Sequence, residues 1–304
     1  NLCNARCPQC QRTDRNGLGT VSTLPLTTWS LNDFKKRFTV KCLQDISEVS
    51  FCGTWGDPLM AKDIEPIVHY IIDNSKANIM ITTNGSIRTD KFYWDLGIYC
   101  GKRLSMVIDV DGIDEQMHQK YRRGTSLRKS LDALTSLSQT KAIPLSQSII
   151  FKHNEEYKDQ IKELALSHGS HFHQHFDSDR FDGKNEWHFI NEKGQKEFLE
   201  RTTLSKIVCQ WRENNNRYMV NPDGQVFQCC FLKKNFDRTD EKDHFRKGSH
   251  PWVDEYLENK EKYNLENHSM KEIVDSELFA KKLPDTWKNP DTAPGPCQRY
   301  CKVK

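Results

Sequence analysis

The sequence predicts an α/β fold: a parallel sheet covered by helices, followed by a smaller α+β domain. Between residues 46 and 168, short β-branched runs alternate with longer helical patterns, as in successive strand–helix units. After about residue 180 the chain becomes polar, aromatic-rich and irregular. Three cysteines lie within residues 3–10 and five within residues 209–301. We therefore expect a first domain over residues 1–185 and a second over residues 186–304, each with its own cysteine group.

The elements of the first domain follow from hydrophobic periodicity. Strands are predicted at residues 46–52, 78–82, 104–110 and 145–152. Residues 64–75 and 126–140 each place their apolar side chains on one helical face, as crossover helices do. Asn154 is expected to cap a further helix that ends near His168 and Gly169.

The second domain shows weaker signals. A hairpin is predicted over residues 218–231, with its turn at residues 221–224, and a helix over residues 270–283. The proline-rich residues 289–296 are not expected to form regular structure and should deliver Cys297 and Cys301 on a loop.

Composition excludes several classes of protein. Hydrophobic residues make up 36% and charged residues 29% of the 304 residues, with a net charge of +3, which argues against a disordered chain and against a nucleic-acid partner. No run of about 18 apolar residues and no secretory signal is present, so we expect a cytoplasmic protein without a membrane partner. Because the first residue is Asn1, the chain is expected to start inside a longer polypeptide.

Cys3, Cys7 and Cys10 have the spacing C-x3-C-x2-C. Three thiolates on one loop can hold three irons of a four-iron, four-sulfur cluster and leave the fourth iron open. Spacing alone leaves a zinc site open as the alternative.

Three further segments complete a resemblance to the radical S-adenosylmethionine (SAM) superfamily. Residues 51–59 resemble its glycine-rich "GGEP" segment, residues 82–85 its "TNG" turn, and residues 109–125 its "S-x-DG … H-x-x-YR-x-G" stretch. Each motif alone is weak evidence, but the cysteine segment and these three segments occur in the order that the superfamily shows. The three segments also follow the ends of predicted strands, where the active sites of parallel barrels lie. The resemblance covers residues 1–155 and implies a partial (β/α)6 TIM-like barrel.

The resemblance also implies a set of SAM contacts. Gly53 and Gly56 let the backbone approach the ligand, and Asp57 and Asn84 belong to the same two loops. Asp109 is expected to meet the SAM ribose and Arg122 to bind the SAM carboxylate, with a solvated helix-end arginine as the alternative for Arg122.

The chain departs from the family pattern at three places. Gln9 stands where relatives have an aromatic or large apolar residue near adenine, which puts adenine packing in doubt. Asp57 replaces a glutamate and keeps its charge. The first barrel strand is expected to precede Asn1.

The second cysteine group resembles the SPASM and twitch auxiliary-cluster domains of radical SAM enzymes. The resemblance implies a second four-iron cluster, for which the predicted ligands are Cys209, Cys229, Cys297 and Cys301. Cys230 is the alternative to Cys229, and a structural zinc ribbon is the alternative to the cluster.

The remaining candidates carry weaker expectations. Cys42, Cys52 and Cys100 are assigned to packing. His171, His173 and His175 would share one face of a strand, facing the barrel interior, and are expected to contact substrate or solvent rather than a metal.

Asp177, Asp179 and Arg180 are candidates for substrate contact.

The resemblance implies that SAM is reductively cleaved to a 5′-deoxyadenosyl radical that abstracts hydrogen from a substrate, an electron donor such as flavodoxin or ferredoxin supplying the electron. A peptide or protein side chain is the expected substrate. The alternatives are a small metabolite such as a sugar or nucleoside, and a non-catalytic metal-cluster protein.

Overall fold

The computed structural model describes residues 1–14, 19–178, 187, 206–213, 216–233 and 245–303. The chain forms two compact units, Asn1–Ile190 and Asn191–Lys304.

The first unit is built on a parallel sheet. In the described residues its strands are β1 (Glu48–Phe51), β2 (Asn78–Thr83), β3 (Leu104–Asp109), β4 (Ile143–Ile150) and β5 (His173–Asp177). They lie in the order β1-β2-β3-β4-β5, and each neighbouring pair is parallel. The expected series of strand–helix units is therefore confirmed.

Seven α-helices precede or connect these strands in the described residues. They are α1 (Leu31–Arg37), α2 (Val40–Gln44), α3 (Ile64–Asn74), α4 (Asp90–Cys100), α5 (Glu115–Tyr121), α6 (Leu127–Ser138) and α7 (Lys158–Ser167). Their starts follow from capping residues: Thr89, Asp114 and Ser126 each accept a backbone N–H of the first turn of α4, α5 and α6. Asn154 does not cap in the expected way. Its side chain binds backbone groups of Phe151, Ile149 and Asp111 instead.

The two faces of the sheet differ in chemistry. Met106 and Ile108 of β3 are fully buried in one apolar core with helix residues such as Leu134. Burying a side chain of this size stabilises the fold by about 1.5–3 kcal/mol. Side chains alternate along a strand, so Asp109 lies on the opposite face, where it meets Gln147 of β4.

The second unit contains short elements. In the described residues these are β6 (Lys206–Ile207), α8 (Gln210–Glu213), β7 (Met219–Val220), β8 (Val226–Phe227), α9 (Pro251–Glu258), α10 (Met270–Val274), α11 (Leu283–Thr286), α12 (Gly295–Tyr300) and β9 (Lys302–Val303). β7 and β8 form the expected hairpin, in which Gly224 adopts a φ of +83° at the turn. β6 pairs with β9 in an antiparallel arrangement.

Two expectations for the second unit need correction. The helix expected at residues 270–283 is interrupted between α10 and a π-helical turn at Leu278–Lys282. Cys297 lies in α12 rather than on a loop, and Cys301 follows it as the C-cap. Pro296 occupies the first turn of α12, where a backbone N–H has no intrahelical partner, so the proline is tolerated.

None of the helices within the described ranges has the length and apolar character that a membrane crossing requires.

Candidate active site

The cysteine loop at the start of the chain is held by local hydrogen bonds. The backbone N–H of Ala5 donates to the Cys3 Sγ at 3.3 Å, and the N–H of Cys10 donates to the Cys7 carbonyl at 3.1 Å. Cys7 is buried, whereas Cys3 and Cys10 are half-buried. All three thiols border one small apolar cluster.

The loop after β1 touches this segment through its backbone. A Cβ on Gly56 would lie 2.5 Å from the Asn1 carbonyl carbon and 2.6 Å from the Leu2 carbonyl oxygen. The N–H of Asp57 donates to that same Leu2 oxygen at 2.7 Å. Gly53 is equally confined, since a Cβ there would lie 2.7 Å from the Gly56 oxygen. Close backbone contact within the chain therefore explains both glycines.

The Asp57 carboxylate ties the first of these loops to the second. It accepts hydrogen bonds from the Thr83 hydroxyl at 2.9 Å, the Asn84 N–H at 2.8 Å and the Leu59 N–H at 3.0 Å. The Asp57 side chain is buried, so water does not reach these donors and the carboxylate satisfies their hydrogen bonds. Asp57 thus fixes the end of β2 relative to the end of β1.

Asn84 carries this connection on to the cysteines. Its Nδ2 donates to Asn4 Oδ1 at 2.8 Å and lies 4.0 Å from the Cys3 Sγ. Its Oδ1 accepts from both the N–H and the hydroxyl of Ser86, which fixes the orientation of the amide.

A third loop, after α5, contacts the cysteine segment from another strand–helix unit. The Arg6 N–H donates to the Arg123 carbonyl at 2.8 Å. Gly124 has a φ of +82°, and a Cβ there would lie 2.9 Å from the Asn4 carbonyl oxygen. Any other residue at position 124 would be strained by the positive φ and by the contact of its Cβ with the Asn4 oxygen.

Arg122 and two carboxylates form a buried charge cluster beside this loop. The Arg122 Nη1 lies 2.7 Å from Asp109 Oδ2, and its Nε lies 2.6 Å from Asp111 Oδ2. Burial raises the pKa of Asp109 to about 6, against the opposing effect of Arg122. The sequence predicts separate SAM contacts for Asp109 and Arg122, whereas the structure pairs them. In the described part of the chain, Nη2 is the guanidinium nitrogen left without a hydrogen-bond partner.

His118 braces the same turn from inside. The Asp111 N–H donates to its Nδ1 at 3.2 Å, and its Nε2 lies 3.0 Å from the Thr125 hydroxyl, which donates to the Arg122 carbonyl. This pattern fits a neutral imidazole with its proton on Nε2. Burial lowers the pKa of His118 to about 4, which keeps the ring neutral.

An aromatic wall closes the far side of the cysteine loop. It consists of Tyr121, Phe151 and Trp187, packed with Cys7 and Ala5. The Tyr121 and Phe151 ring centroids are 4.5 Å apart, and Trp187 lies 5.4 Å from each. Phe151 and Trp187 lie outside the four motifs and follow no recognisable spacing, so the sequence alone does not place them at this site.

Metal binding at the cysteine loop requires deprotonated thiols. Among the described residues, no three His, Cys, Asp or Glu side chains are arranged to hold one metal ion. Burial raises the pKa of Cys3 to about 11 and that of Cys7 to about 12, so metal binding would have to displace their protons.

The second cysteine group assembles inside the second unit. Pairing of β6 with β9 brings the chain near Cys209 beside Cys301, and the Val208 N–H donates to the Cys301 carbonyl at 3.0 Å. Burial raises the pKa of Cys297, and the neighbouring thiols of Cys229 and Cys301 raise it further. The four predicted ligands are thus neighbours in one buried region.

The Cys229 thiol has backbone donors beside it. Burial raises the pKa of Cys229 to about 12, while the N–H groups of Leu232 and Phe231 hydrogen-bond to its thiol and lower it. Such N–H donors stabilise a metal-bound thiolate. Cys230 is half-buried, and it too lies near Cys229 and Cys301.

Three weaker candidates need revision. His173 and His175 do not share a face with Asp109: they bond to Ser146 and Ser148, which alternate along β4 with Gln147 and so lie on the helix-covered face. His171 is exposed ahead of β5.

Cys52 is exposed rather than packed, Cys42 is half-buried and Cys100 is buried. Asp177 ends β5 and lies 3.7 Å from Lys158, while Asp179 and Arg180 fall outside the described residues.

The comparisons with known proteins rest on structure. No protein-family model matches the chain. No curated protein sequence matches it either.

Several solved structures share the fold. SuiB from Streptococcus suis bound to S-adenosylmethionine superposes with a TM-score of 0.56 at 12% identity, over 76% of this chain and 58% of SuiB. Native anSMEcpe with bound AdoMet gives a TM-score of 0.57 at 14% identity, over 92% of this chain and 79% of anSMEcpe. SuiB bound to the precursor peptide SuiA gives 0.54 at 12% identity, over 78% and 61%.

At these identities the likeness establishes the fold. The chain has the α/β partial barrel of the radical SAM fold, as the motifs predict, and spans 58% of the length of SuiB.

Proposed function

We propose that this chain is a radical SAM enzyme in which Cys3, Cys7 and Cys10 hold a four-iron cluster whose open iron binds SAM. The observation that carries the proposal is the convergence on the cysteine loop. Loops from separate strand–helix units reach it through Gly56, Asn84 and Gly124. These three contacts fix the position of the cysteine loop, as a site that holds a cluster requires.

When bound, the cluster and SAM supply radical hydrogen abstraction. The protein's part is to bind, orient and exclude water. The wall of Tyr121, Phe151 and Trp187 keeps water from one side of the thiols. Asn84 orients Asn4 and Cys3 through its amide.

The predicted SAM contacts divide by chemistry. Gly53, Gly56, Asp57 and Asn84 lie in the loops at the ends of β1 and β2 beside the cysteine loop, and these loops are proposed to border the bound SAM. Asp109 keeps free lone pairs for hydroxyl or ammonium donors of the ligand.

Arg122 is held in a fixed plane by Asp109 and Asp111, and its Nη2 is the group through which it would bind the SAM carboxylate.

A peptide or protein side chain is the proposed substrate. SuiB, which shares the fold, has been solved with its precursor peptide bound, and that structure supports this choice over a small metabolite. The proposal includes a reduced flavodoxin or ferredoxin as electron donor, and the cytoplasm as the compartment, where thiols stay reduced.

The second unit is proposed to be an auxiliary domain over residues 186–304 that holds a second four-iron cluster through Cys209, Cys229, Cys297 and Cys301. Its support is the shared buried region of these thiols and the backbone N–H donors at Cys209 and Cys229.

The test is SAM cleavage by protein purified and reconstituted with iron and sulfide in the absence of oxygen. We expect about eight irons per chain. 5′-Deoxyadenosine should form under dithionite with the wild type and not with a Cys3→Ala, Cys7→Ala, Cys10→Ala variant.

Peptides that raise the nucleoside yield above the substrate-free level would support a peptide substrate, whereas stimulation by sugars or nucleosides alone would contradict it. Zinc in place of iron, with no nucleoside formed, would overturn the enzyme assignment.

A further inference from the structure

The second unit contains a cleft that the proposed chemistry does not use. Its volume is about 470 Å³, which lies within the usual range for ligand sites. Three segments line it: the first turns of α9, residues 282–286, and the turn at Pro290–Thr292. No cysteine is among its described lining residues, so the cleft does not take part in holding the proposed auxiliary cluster.

Hydrogen bonds tie these three segments to one another. The His250 Nε2 donates to the Thr292 carbonyl at 2.8 Å, and the Thr292 hydroxyl donates to the Thr286 carbonyl at 3.2 Å. The Lys282 ammonium donates to the two Glu255 carboxylate oxygens at 2.8 and 2.9 Å. The segments are thus connected pairwise, which fixes the shape of the cleft.

The charged groups of the cleft favour a cationic ligand. Two carboxylates, Glu255 and Asp291, line it together with one ammonium, Lys282. The His250 ring is neutral in this arrangement, because its Nδ1 accepts the Trp252 N–H at 3.0 Å and its proton therefore lies on Nε2. Lys282 neutralises Glu255, whereas within the described residues the Asp291 carboxylate makes no hydrogen bond or ion pair. Asp291 is therefore available to a cation.

The cleft also offers apolar surface beside this carboxylate. Pro251 and Trp252 supply it, and the Trp252 ring is held in place because its Nε1 donates to the Leu278 carbonyl at 3.0 Å. Lysine and arginine side chains carry a long aliphatic stem below the charge. Such a side chain can pack its stem on the apolar surface and place its charge at Asp291.

We propose that this cleft binds a lysine or arginine side chain of the peptide substrate, with the Asp291 carboxylate as its acceptor. This inference rests on the proposed peptide substrate. The cleft adds affinity for the peptide through an ion pair and apolar contact, and no covalent step takes place there.

The test is peptide binding to the full chain, reconstituted with iron and sulfide in the absence of oxygen. Three fluorescein-labelled dodecapeptides built of Gly, Ser and Leu differ at one central residue, which is Arg, Gln or Glu, and fluorescence anisotropy gives their Kd. We expect the Arg peptide to bind about fivefold more tightly than the Gln peptide, the upper end for an exposed ion pair. Asp291→Asn should remove this preference. Equal Kd values for the three peptides would overturn the proposal.

Glu258→Gln is the matched control for Asp291→Asn. Glu258 is an exposed carboxylate of α9 that does not line the cleft, so the control removes the same charge without changing the site. We expect it to leave the preference for the Arg peptide intact. Loss of the preference in both variants would show a general effect of charge and would overturn the role of the cleft.

Lys282→Gln separates a cation site from an anion site. Removing the ammonium frees the Glu255 carboxylate, so the Arg peptide should bind more tightly than it does to the wild type. Preferential binding of the Glu peptide by the wild type, lost in Lys282→Gln, would show an anion site and overturn the proposal.

Formation of 5′-deoxyadenosine from SAM, measured in the same samples, separates this inference from the proposed function. Nucleoside formed by protein that shows no preference for the Arg peptide would overturn the cleft and leave the enzyme assignment in place. A preference that depends on Asp291, in protein that forms no nucleoside, would support the cleft and overturn the enzyme assignment instead.

Discussion

At the residue scale, the motif side chains bind one another and the cysteine segment. Asp57 links the ends of β1 and β2, Asn84 links β2 to Asn4, and Arg122 joins Asp109 to Asp111. Most of these groups are buried, so losing one partner leaves another polar group without water or protein contacts. Substitutions of these side chains are therefore expected to displace the cysteine loop, and to change ligand binding as a consequence.

Gly56→Ala tests the close approach of the chain to itself. The new Cβ would meet the backbone of Asn1 and Leu2 at 2.5–2.6 Å, and backbone atoms cannot move aside as a side-chain end can. We expect a loss of about 1–3 kcal/mol in the free energy of unfolding, the usual cost of overpacking, together with iron loss at the first cluster. Urea unfolding and iron analysis measure the two effects.

Gly19→Ala is the matched control, because a Cβ there has no atom within 4 Å. Equal stability and equal iron content in the Gly56 and Gly19 variants would contradict the packing described here.

The His118 imidazole makes stability dependent on pH. Burial lowers its pKa to about 4 from the ordinary 6.5, so below pH 6.5 the unfolded chain takes up a proton that the folded chain resists. The contribution of His118 is fully present above pH 6.5 and is lost as pH falls towards 4, by up to about 3 kcal/mol at ~1.4 kcal/mol per pKa unit. Asp109, whose pKa is raised to about 6, acts in the opposite direction.

The measurement is the difference between wild type and His118→Asn in urea unfolding from pH 7.5 to pH 4.5. The advantage of the wild type should shrink as the pH falls. A difference that stays constant across this range would show that His118 is not held neutral by burial.

At the scale of elements, the site depends on the carboxyl ends of parallel strands. The turns after β1, β2 and β3 meet at one edge of the sheet, where the cysteine loop lies. β4 contributes Gln147, which bonds to Asp109. Phe151 follows directly after β4, so part of the aromatic wall also lies at this edge of the sheet.

Phe151→Ala tests whether the aromatic wall shields the thiols. Phe151 is fully buried, so its truncation should leave a cavity and cost about 3–5 kcal/mol in unfolding free energy. We also expect the iron–sulfur absorption of the first cluster to bleach faster in air, because water and oxygen gain access. Phe172→Ala, at a side chain 60% exposed, is the control and should change neither quantity. Equal bleaching rates in the two variants would remove the shielding role.

The adjacent thiols Cys229 and Cys230 provide a matched pair. Cys229 is buried and accepts backbone N–H groups, so Cys229→Ala should lower the iron content by about four per chain. Cys230→Ala should retain that iron. Loss of iron from the Cys230 variant alone would reverse the assignment.

At the scale of the whole molecule, the α/β class of the fold was predictable from the sequence. Repeated apolar periodicity marks the strands and helices of the first unit, because each element buries one face. Cys3, Cys7 and Cys10 remain predicted cluster ligands, and their prediction rests on a spacing that is local in the sequence. The predicted strand limits agree with the structure to within a few residues.

Other features were not predictable, because they depend on contacts between distant residues. Asn154 has the residue type of a helix cap, yet its side chain bonds to the distant Asp111 carbonyl and to the nearby Phe151 N–H instead. Trp187 and Phe151 lie far from Cys7 in sequence and contact its cluster only in the folded chain. The ion pair between Arg122 and Asp109 was not predictable either, because the sequence motifs suggest that each residue contacts SAM.

The most direct test of the central claim is EPR spectroscopy of the reduced first cluster with and without SAM. If Cys3, Cys7 and Cys10 hold a cluster with one open iron, SAM will change the signal of the wild type. The same addition will leave unchanged the signal of a variant in which these cysteines are replaced by alanine. A wild-type signal that does not respond to SAM, in protein with a full complement of iron, would contradict the account.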